Sequence, residues 1–197
     1  MSTHFITQAI QASIQVKDRI LSSPTLLNQI QKINAICIST YKNRRKILIA
    51  GNGGSAADAQ HMAAELVVRY EVNRPGLPAI ALTTDSSILT ACANDYCYED
   101  IFKRQLEALA VEGDVFIGIS TSGGSANILK ALATAKKMGV TTIGLTGENG
   151  GKMQPFCDQC FCAPSTVTAR VQEAHILVAH IICAAIEQSV LVNETVM

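Results

Sequence analysis

Lys46-Ile47-Leu48-Ile49-Ala50-Gly51-Asn52-Gly53-Gly54-Ser55 and Asp114-Val115-Phe116-Ile117-Gly118-Ile119-Ser120-Thr121-Ser122-Gly123-Gly124-Ser125 decide the fold of this chain. In each, a short apolar run of strand character ends in a Gly/Ser turn that feeds a helical pattern. Glycine lets a backbone come close to a ligand, and a helix N-terminus offers unpaired N–H groups and a partial positive charge. Two such turns in one sheet can hold a single anionic ligand, most simply a phosphate.

Around these two stretches the chain alternates. Strand patterns cover 46–50, 78–82, 114–119, 141–146 and 158–162, and helix patterns cover 55–69, 86–93, 99–111, 125–138 and about 167–190. Apolar strands of four to six residues separated by helices predict a parallel sheet covered on both faces. Right-handed crossovers then give an α/β fold, a three-layer α/β/α sandwich on five parallel strands. Ligands in such folds bind beyond the C-terminal ends of the strands, where both Gly/Ser turns lie.

Ahead of this core, 3–21 and 25–43 read as two helices divided by Ser22-Ser23-Pro24, with Ser23 as N-cap and Pro24 at the first helical position. Phe5, Ile6, Ile10, Ile14, Val16 and Ile20 make the first of them amphipathic. It is read as an oligomerisation element, with 1–44 as N-terminal helices and 45–197 as the core of a single compact unit.

Of the 197 residues 48% are hydrophobic, enough for one substantial core. Sixteen basic and sixteen acidic side chains cancel, and this balance excludes the basic footprint of a nucleic-acid binder. Lys42-Asn43-Arg44-Arg45-Lys46 reads as a solvated helix end before a strand. No uninterrupted apolar run reaches the length of a bilayer span, since His175 and His180 break the run around Ile176–Ile182. The N-terminus has no basic region followed by an apolar core, so a cytoplasmic protein without a membrane partner is expected.

Seven cysteines are present. Cys37, Cys92, Cys97 and Cys183 sit in apolar or helical surroundings and are expected to be buried thiols. Cys157-Asp-Gln-Cys160-Phe-Cys162 contains a C-x-x-C, but no second one follows and the context is not thioredoxin-like. Alternation through Cys160–Ala163 suits a strand, and spacing alone argues against a zinc knuckle or a redox pair.

Three clusters carry chemistry. Ser120, Thr121, Ser122 and Ser125 put four hydroxyls around one helix start, more than a capped turn needs, so phosphate can be held there without lysine. The lysine-bearing P-loop pattern is absent and Ala56 breaks the G-x-G-x-x-G spacing of the first turn, which disfavours nucleotide hydrolysis. His61 and Glu65 lie one turn apart on the following helix, as a two-ligand metal clip, an acid–base pair or a plain surface pair. In the last helix Gln172 and His180 can share a broad face, while His175 points elsewhere and reads as structural; in isolation, a satisfied core histidine is the better reading of either histidine.

These segments resemble the sugar isomerase (SIS) domain family, and within it the bacterial phosphoheptose isomerases. The resemblance rests on Gly51–Ser55, Ala59-Gln-His-Met-Ala-Ala-Glu65, Ala93-Asn-Asp95, Gly118–Ser125, Leu145-Thr-Gly147 and Arg170-Val-Gln-Glu-Ala-His175. It runs from about residue 35 to the end of the last helix and implies a flavodoxin-like SIS fold. It also implies conversion of sedoheptulose 7-phosphate to D-glycero-D-manno-heptose 7-phosphate through an enediol(ate), the first step of ADP-heptose synthesis for lipopolysaccharide core. By that pattern Ser120, Thr121, Ser122 and Ser125 hold the phosphate. Asn52, Gly53, Gly54, Ser55, Asn94, Asp95, Glu65 and Gln172 bind substrate, and Glu65 and His180 form the acid–base pair. The resemblance further implies one Zn2+ per subunit on His61, Glu65, Gln172 and His180, and a homotetramer with active sites at subunit interfaces. One departure is Ala169, where some members carry an aspartate, so no auxiliary acid–base role is transferred; Thr168 and Asp95 are the nearest substitutes.

Three other readings compete. Non-catalytic SIS relatives that bind the replication initiator share Pro78-Ala-Ile-Ala-Leu82, but they lack counterparts of Glu65 and His180. Sugar-phosphate-sensing regulators carry a DNA-binding domain, for which the first 45 residues offer no basic recognition helix. An isomerase of another sugar phosphate is disfavoured by the Gln172/His180 pair.

Overall fold

A computed structural model describes residues 3–194. Helices α1 (Thr3–Leu21) and α2 (Pro24–Lys42) lead into β1 (Ile47–Gly51), α3 (Gly54–Val67), β2 (Ala79–Ala81), α4 (Ser86–Asp95), α5 (Ile101–Leu109) and β3 (Val115–Ser120). They are followed by α6 (Ala126–Lys137), β4 (Thr141–Thr146), β5 (Gln159–Cys162) and α7 (Thr168–Glu194). The break between α1 and α2 forms as the sequence predicts: Ser23 accepts from the Leu26 N–H at 3.3 Å and Pro24 opens the second helix.

All five strands are parallel in the order β2-β1-β3-β4-β5. The order reverses between β1 and β3, and the register sets Gly51 beside Ile119. Both Gly/Ser turns therefore leave the sheet side by side at its switch point, where a crevice opens. β2 is shorter than the sequence pattern suggests. Pro78 has no N–H to extend the ladder, and only its carbonyl is used, accepting from Ile47.

Alternation along the strands divides the core in two. Ile47, Ile49, Val115, Ile117, Ile119, Ile143, Leu145 and Phe161 face α2, α3 and α7. Leu48, Ala50 and Phe116 face α4, α5 and α6. This is the expected three-layer sandwich, with α1 and α2 built into the first layer through Val16, Ile20, Ile30, Ile33 and Cys37. The outer face of α1 leaves Phe5, Ile6, Ile10 and Ile14 exposed.

Two readings are corrected. Cys97 is half-exposed and its thiol donates to Asp100 Oδ2 at 3.3 Å, because it precedes a short 3-10 turn at the surface rather than lying inside a helix. And α7, by length and composition, is apolar enough over Thr168–Leu191 to cross a membrane. Here that apolarity serves the core: Val171, Ala174, Val178, Ala179, Ile182, Cys183 and Ile186 are buried against the first layer.

Candidate active site

The site is built where α3 and α7 meet. His61 and Glu65 lie on one face of α3, and the His61 Nε2 to Glu65 Oε1 distance is 3.2 Å. From α7, His180 brings its Nε2 to within 2.9 Å of His61 Nε2, with ring centroids 5.1 Å apart. The three ligand atoms lie within 4.8 Å of one another. Which nitrogen donates across this contact depends on the imidazole tautomers. Tyr70 packs its ring 5.9 Å from that of His180.

Gln172 lies at the other end of this face. A Cβ placed on Gly54 would sit 2.3 Å from its Nε2 and 2.6 Å from its Oε1. The glycine therefore admits the amide against the first turn of α3, a close approach that no other residue permits. Asp58 sits below it. Burial raises its pKa against the opposing pulls of the Gln172 side chain and of His61, and its Oδ2 is buried without a hydrogen-bond partner among the described residues. Asp58 carries no motif of its own in the sequence, although it shares the α3 face of His61 at three residues' distance.

A buried ion pair fixes the two helices. Glu187 of α7 accepts from the backbone N–H groups of Tyr70, Glu71 and Val72 at 3.0, 2.8 and 3.0 Å and from Arg74 Nε at 3.0 Å. Arg74 in turn donates to the carbonyls of Glu65 and Leu66 at 2.8 and 2.9 Å, capping the C-terminal end of α3. Burial alone would raise the pKa of Glu187. The three backbone donors and Arg74 prevail and hold it below the usual carboxylate range.

The serine turn forms a separate lobe. Ser120 is buried and its Oγ lies 2.9 Å from Ser125 Oγ, while Ser122 Oγ accepts from the Gly124 N–H at 3.2 Å. Gly123 has φ +62°, and a Cβ there would meet the Gly150 carbonyl at 2.6 Å, so the turn is sealed against the 147–151 loop. A cavity of about 160 Å³ opens here, lined by Thr121, Ser122, Gly147, Asn149, Ser165 and Glu148 among others. Hydroxyls and backbone groups dominate this lining, with Glu148 its only charged side chain.

In the first turn, Gly53 takes φ +56° and Ser55 is buried. Asn52 forms a reciprocal amide pair with Asn127, at 2.9 and 2.8 Å, and its Oδ1 also accepts from the Tyr98 hydroxyl at 3.2 Å. Asn127 gave no sequence signal, because only the crossover from β3 to α6 brings it to residue 52. Asn94 and Asp95 end α4, exposed and bonded to each other at 2.9 Å. Among the described residues, no hydrogen bond joins either to His61, Glu65 or His180. His175, as expected, is structural. It is fully buried, its Nε2 donates to the Thr146 carbonyl at 3.0 Å, and burial pushes its pKa down to about 4 despite that bond.

Residues 11–147 match the SIS domain family. Over 192 residues the chain is 55% identical to a phosphoheptose isomerase of Aneurinibacillus thermoaerophilus, covering 98% of this chain and 97% of that one. Over 176 residues it is 57% identical to phosphoheptose isomerase 2 of Campylobacter jejuni, covering 89% and 88%. The solved phosphoheptose isomerase of Francisella tularensis superposes with a TM-score of 0.89 at 37% identity, covering 95% of this chain and all of that one. That of Neisseria gonorrhoeae gives 0.88 at 39%, covering 94% and 98%. With this fold, this convergence of side chains and these relatives, the chain belongs to the SIS domain family and, within it, to the phosphoheptose isomerases.

Proposed function

We propose that this chain interconverts sedoheptulose 7-phosphate and D-glycero-D-manno-heptose 7-phosphate, as an aldose–ketose isomerase feeding ADP-heptose synthesis. The observation that supports the mechanism is the convergence of His61, Glu65 and His180 between α3 and α7, in a chain whose serine turn lines a separate cavity. Isomerisation moves one proton between C1 and C2 and another between their oxygens. Glu65 takes the carbon-bound proton and His180 serves the oxygens, a division of labour that suits a carboxylate and an imidazole. Thr121, Ser122 and the N-terminus of α6 grip the phosphate, with Ser120 and Ser125 supporting the turn. Binding energy from the phosphate end, away from the reacting carbons, then positions those carbons.

The donor set fits a divalent zinc. A tetrahedral sphere with bonds of about 2.1 Å sets neighbouring ligand atoms roughly 3.4 Å apart. Two of the separations here, 2.9 and 3.2 Å, lie near that value, and all three ligand atoms lie within 4.8 Å of one another. His61, Glu65 and His180 would hold the ion, with Gln172 as the fourth ligand, and Glu65 and His180 would move protons only when released from it. Zinc supplies polarisation of a substrate oxygen when bound.

Assembly and location follow the same reading. The exposed apolar face of α1 supports a homotetramer built through the N-terminal helices (1–44). Active sites at subunit interfaces would give the outlying Asn94 and Asp95 a substrate to meet. A cytoplasmic enzyme acting on a small sugar phosphate, without nucleic-acid or membrane partners, accords with the balanced charge.

The test is to incubate purified protein with sedoheptulose 7-phosphate, with and without a chelator, and follow the aldose phosphate by NMR. Turnover is expected, with loss on chelation and recovery on adding zinc. Absence of turnover in zinc-loaded, folded protein overturns the assignment. Full activity after metal removal would confine the ion to a structural part.

A further inference from the structure

The proposed isomerase leaves one chemical feature unused, the run Cys157-Asp-Gln-Cys160-Phe-Cys162. Its spacing argues against a metal site, but the fold changes that reading. Cys160 and Cys162 stand on one face of the edge strand β5, with their sulfurs 4.0 Å apart. On that face β4 carries Gly144, in register with Cys160. A Cβ at Gly144 would lie 2.6 Å from Cys157 Sγ, 3.1 Å from Cys160 Sγ and 3.0 Å from Met153 Cε. The missing side chain thus opens a cradle that a third thiol and a thioether-bearing side chain close from the 153–157 segment. Met153 is fully buried, whereas Cys157 and Cys162 are half-exposed and leave a way in. Asp158, the carboxylate within the run, is turned away. Its Oδ2 accepts from the Thr142 N–H and hydroxyl, both at 2.9 Å.

We propose that Cys157, Cys160 and Cys162, backed by Met153, form a site for a soft monovalent d10 cation, Cu(I). Thiolate and thioether donors select such ions, and low-coordinate Cu(I) does not need the four-ligand shell of a structural zinc. The Cys160–Cys162 pair supplies two ligands and Cys157 the third. On binding, each ligating cysteine exchanges its S–H bond for an S–Cu bond and releases its proton to buffer, with no change of oxidation state. Because binding releases thiol protons, it tightens as pH rises.

The experiment is an anaerobic titration of the whole protein with Cu(I) against bicinchoninate, with stoichiometry read by native mass spectrometry. One tightly held Cu(I) per chain is expected, retained in His61→Ala and weakened at least a hundredfold in Cys160→Ser/Cys162→Ser. Unchanged affinity in the double variant, or loss in His61→Ala, overturns the proposal; the latter would place the ion among the active-site imidazoles. Should the double variant fail to fold, the unaltered protein decides the matter. Cu(I) must then protect Cys157 and Cys162 from iodoacetamide in peptide mapping, and equal labelling with and without Cu(I) refutes the site.

Discussion

Substituting Gly54 by alanine separates the site from the fold. Gly54 opens α3 and has no positive φ, so alanine is compatible with its backbone. Such a replacement ordinarily stabilises by about 0.4–1 kcal/mol by narrowing the unfolded ensemble. The new Cβ, however, would stand 2.3 Å from Gln172 Nε2, where ordinary contact begins at 3.4 Å. The obstacle is the far end of a flexible side chain, so the amide moves and the backbone does not. The displacement is about 1 Å, which in a catalytic constellation can cost about a hundredfold, or about 2.7 kcal/mol of transition-state stabilisation. Gly54→Ala is therefore expected to melt at or a few degrees above the parent while losing about two decades of kcat/KM and binding zinc more weakly. The measurements are a thermal melt, NMR-followed kinetics and zinc competition on the same preparation. Gly53→Ala provides the opposite pattern: its Cβ would meet nothing within 4 Å, but φ +56° makes it strained, so stability falls and Gln172 stays in place. If Gly54→Ala keeps kcat/KM within twofold, Gln172 does not work where the structure puts it, and the four-ligand reading fails.

Further outcomes are fixed by the same geometry. Glu65→Gln should abolish turnover while sparing binding of the sugar phosphate, and near-native kcat in NMR assays would remove Glu65 as the base. Ser122→Ala should raise KM about tenfold with kcat little changed, the worth of one hydrogen bond to a charged group; an unaltered KM places the phosphate elsewhere. Glu187→Ala leaves Arg74 charged and buried and should destabilise by about 3–5 kcal/mol in denaturant unfolding, with a loss under 1 kcal/mol contradicting the clamp. His175 has a folded pKa of about 4, below its unfolded value, so the unfolded chain binds the extra proton first. Its contribution is complete above about pH 6.5 and is lost as pH falls towards 4, about 3 kcal/mol in all. His175→Gln should flatten that slope in urea titrations across pH 4–7.

The layers and the two turns were legible because they are local. A strand, a glycine turn and a helix start occupy about ten consecutive residues, and each leaves its own pattern. The serine turn could be read for the same reason, as could His61 with Glu65. Pairings across the fold were not legible. Asn127 reaches Asn52 from 75 residues away, and Arg74 meets Glu187 over 113. Neither has a spacing, a period or a composition to announce it. Asp58 stands between these cases: its face was readable, but its burial beside Gln172 depends on how α7 crosses α3. The cysteine run shows the opposite failure. Its spacing is uninformative until Gly144, on the neighbouring strand, is seen to leave room for the sulfurs.

The Arg74–Glu187 pair explains why the site can be assembled before any ligand arrives. His61 and Glu65 come from α3 and His180 from α7, and two long helices packed only through apolar side chains can slide or rotate over small distances at little cost. Arg74 holds the carbonyls at the end of α3, and Glu187 sits two turns beyond His180 on α7. A charged, fully hydrogen-bonded contact tolerates much less displacement than apolar packing, because a shift of an ångström strands a buried charge. The register between the helices is thus set by groups that take no part in the reaction. The three converging side chains then need not be gathered by substrate, and binding energy at the phosphate turn remains for aligning the sugar. On this argument Glu187→Gln, which keeps the acceptor oxygen but drops the charge, should lower kcat more than it raises KM. The reverse order would mean that the pair supports the fold without setting the geometry of the site.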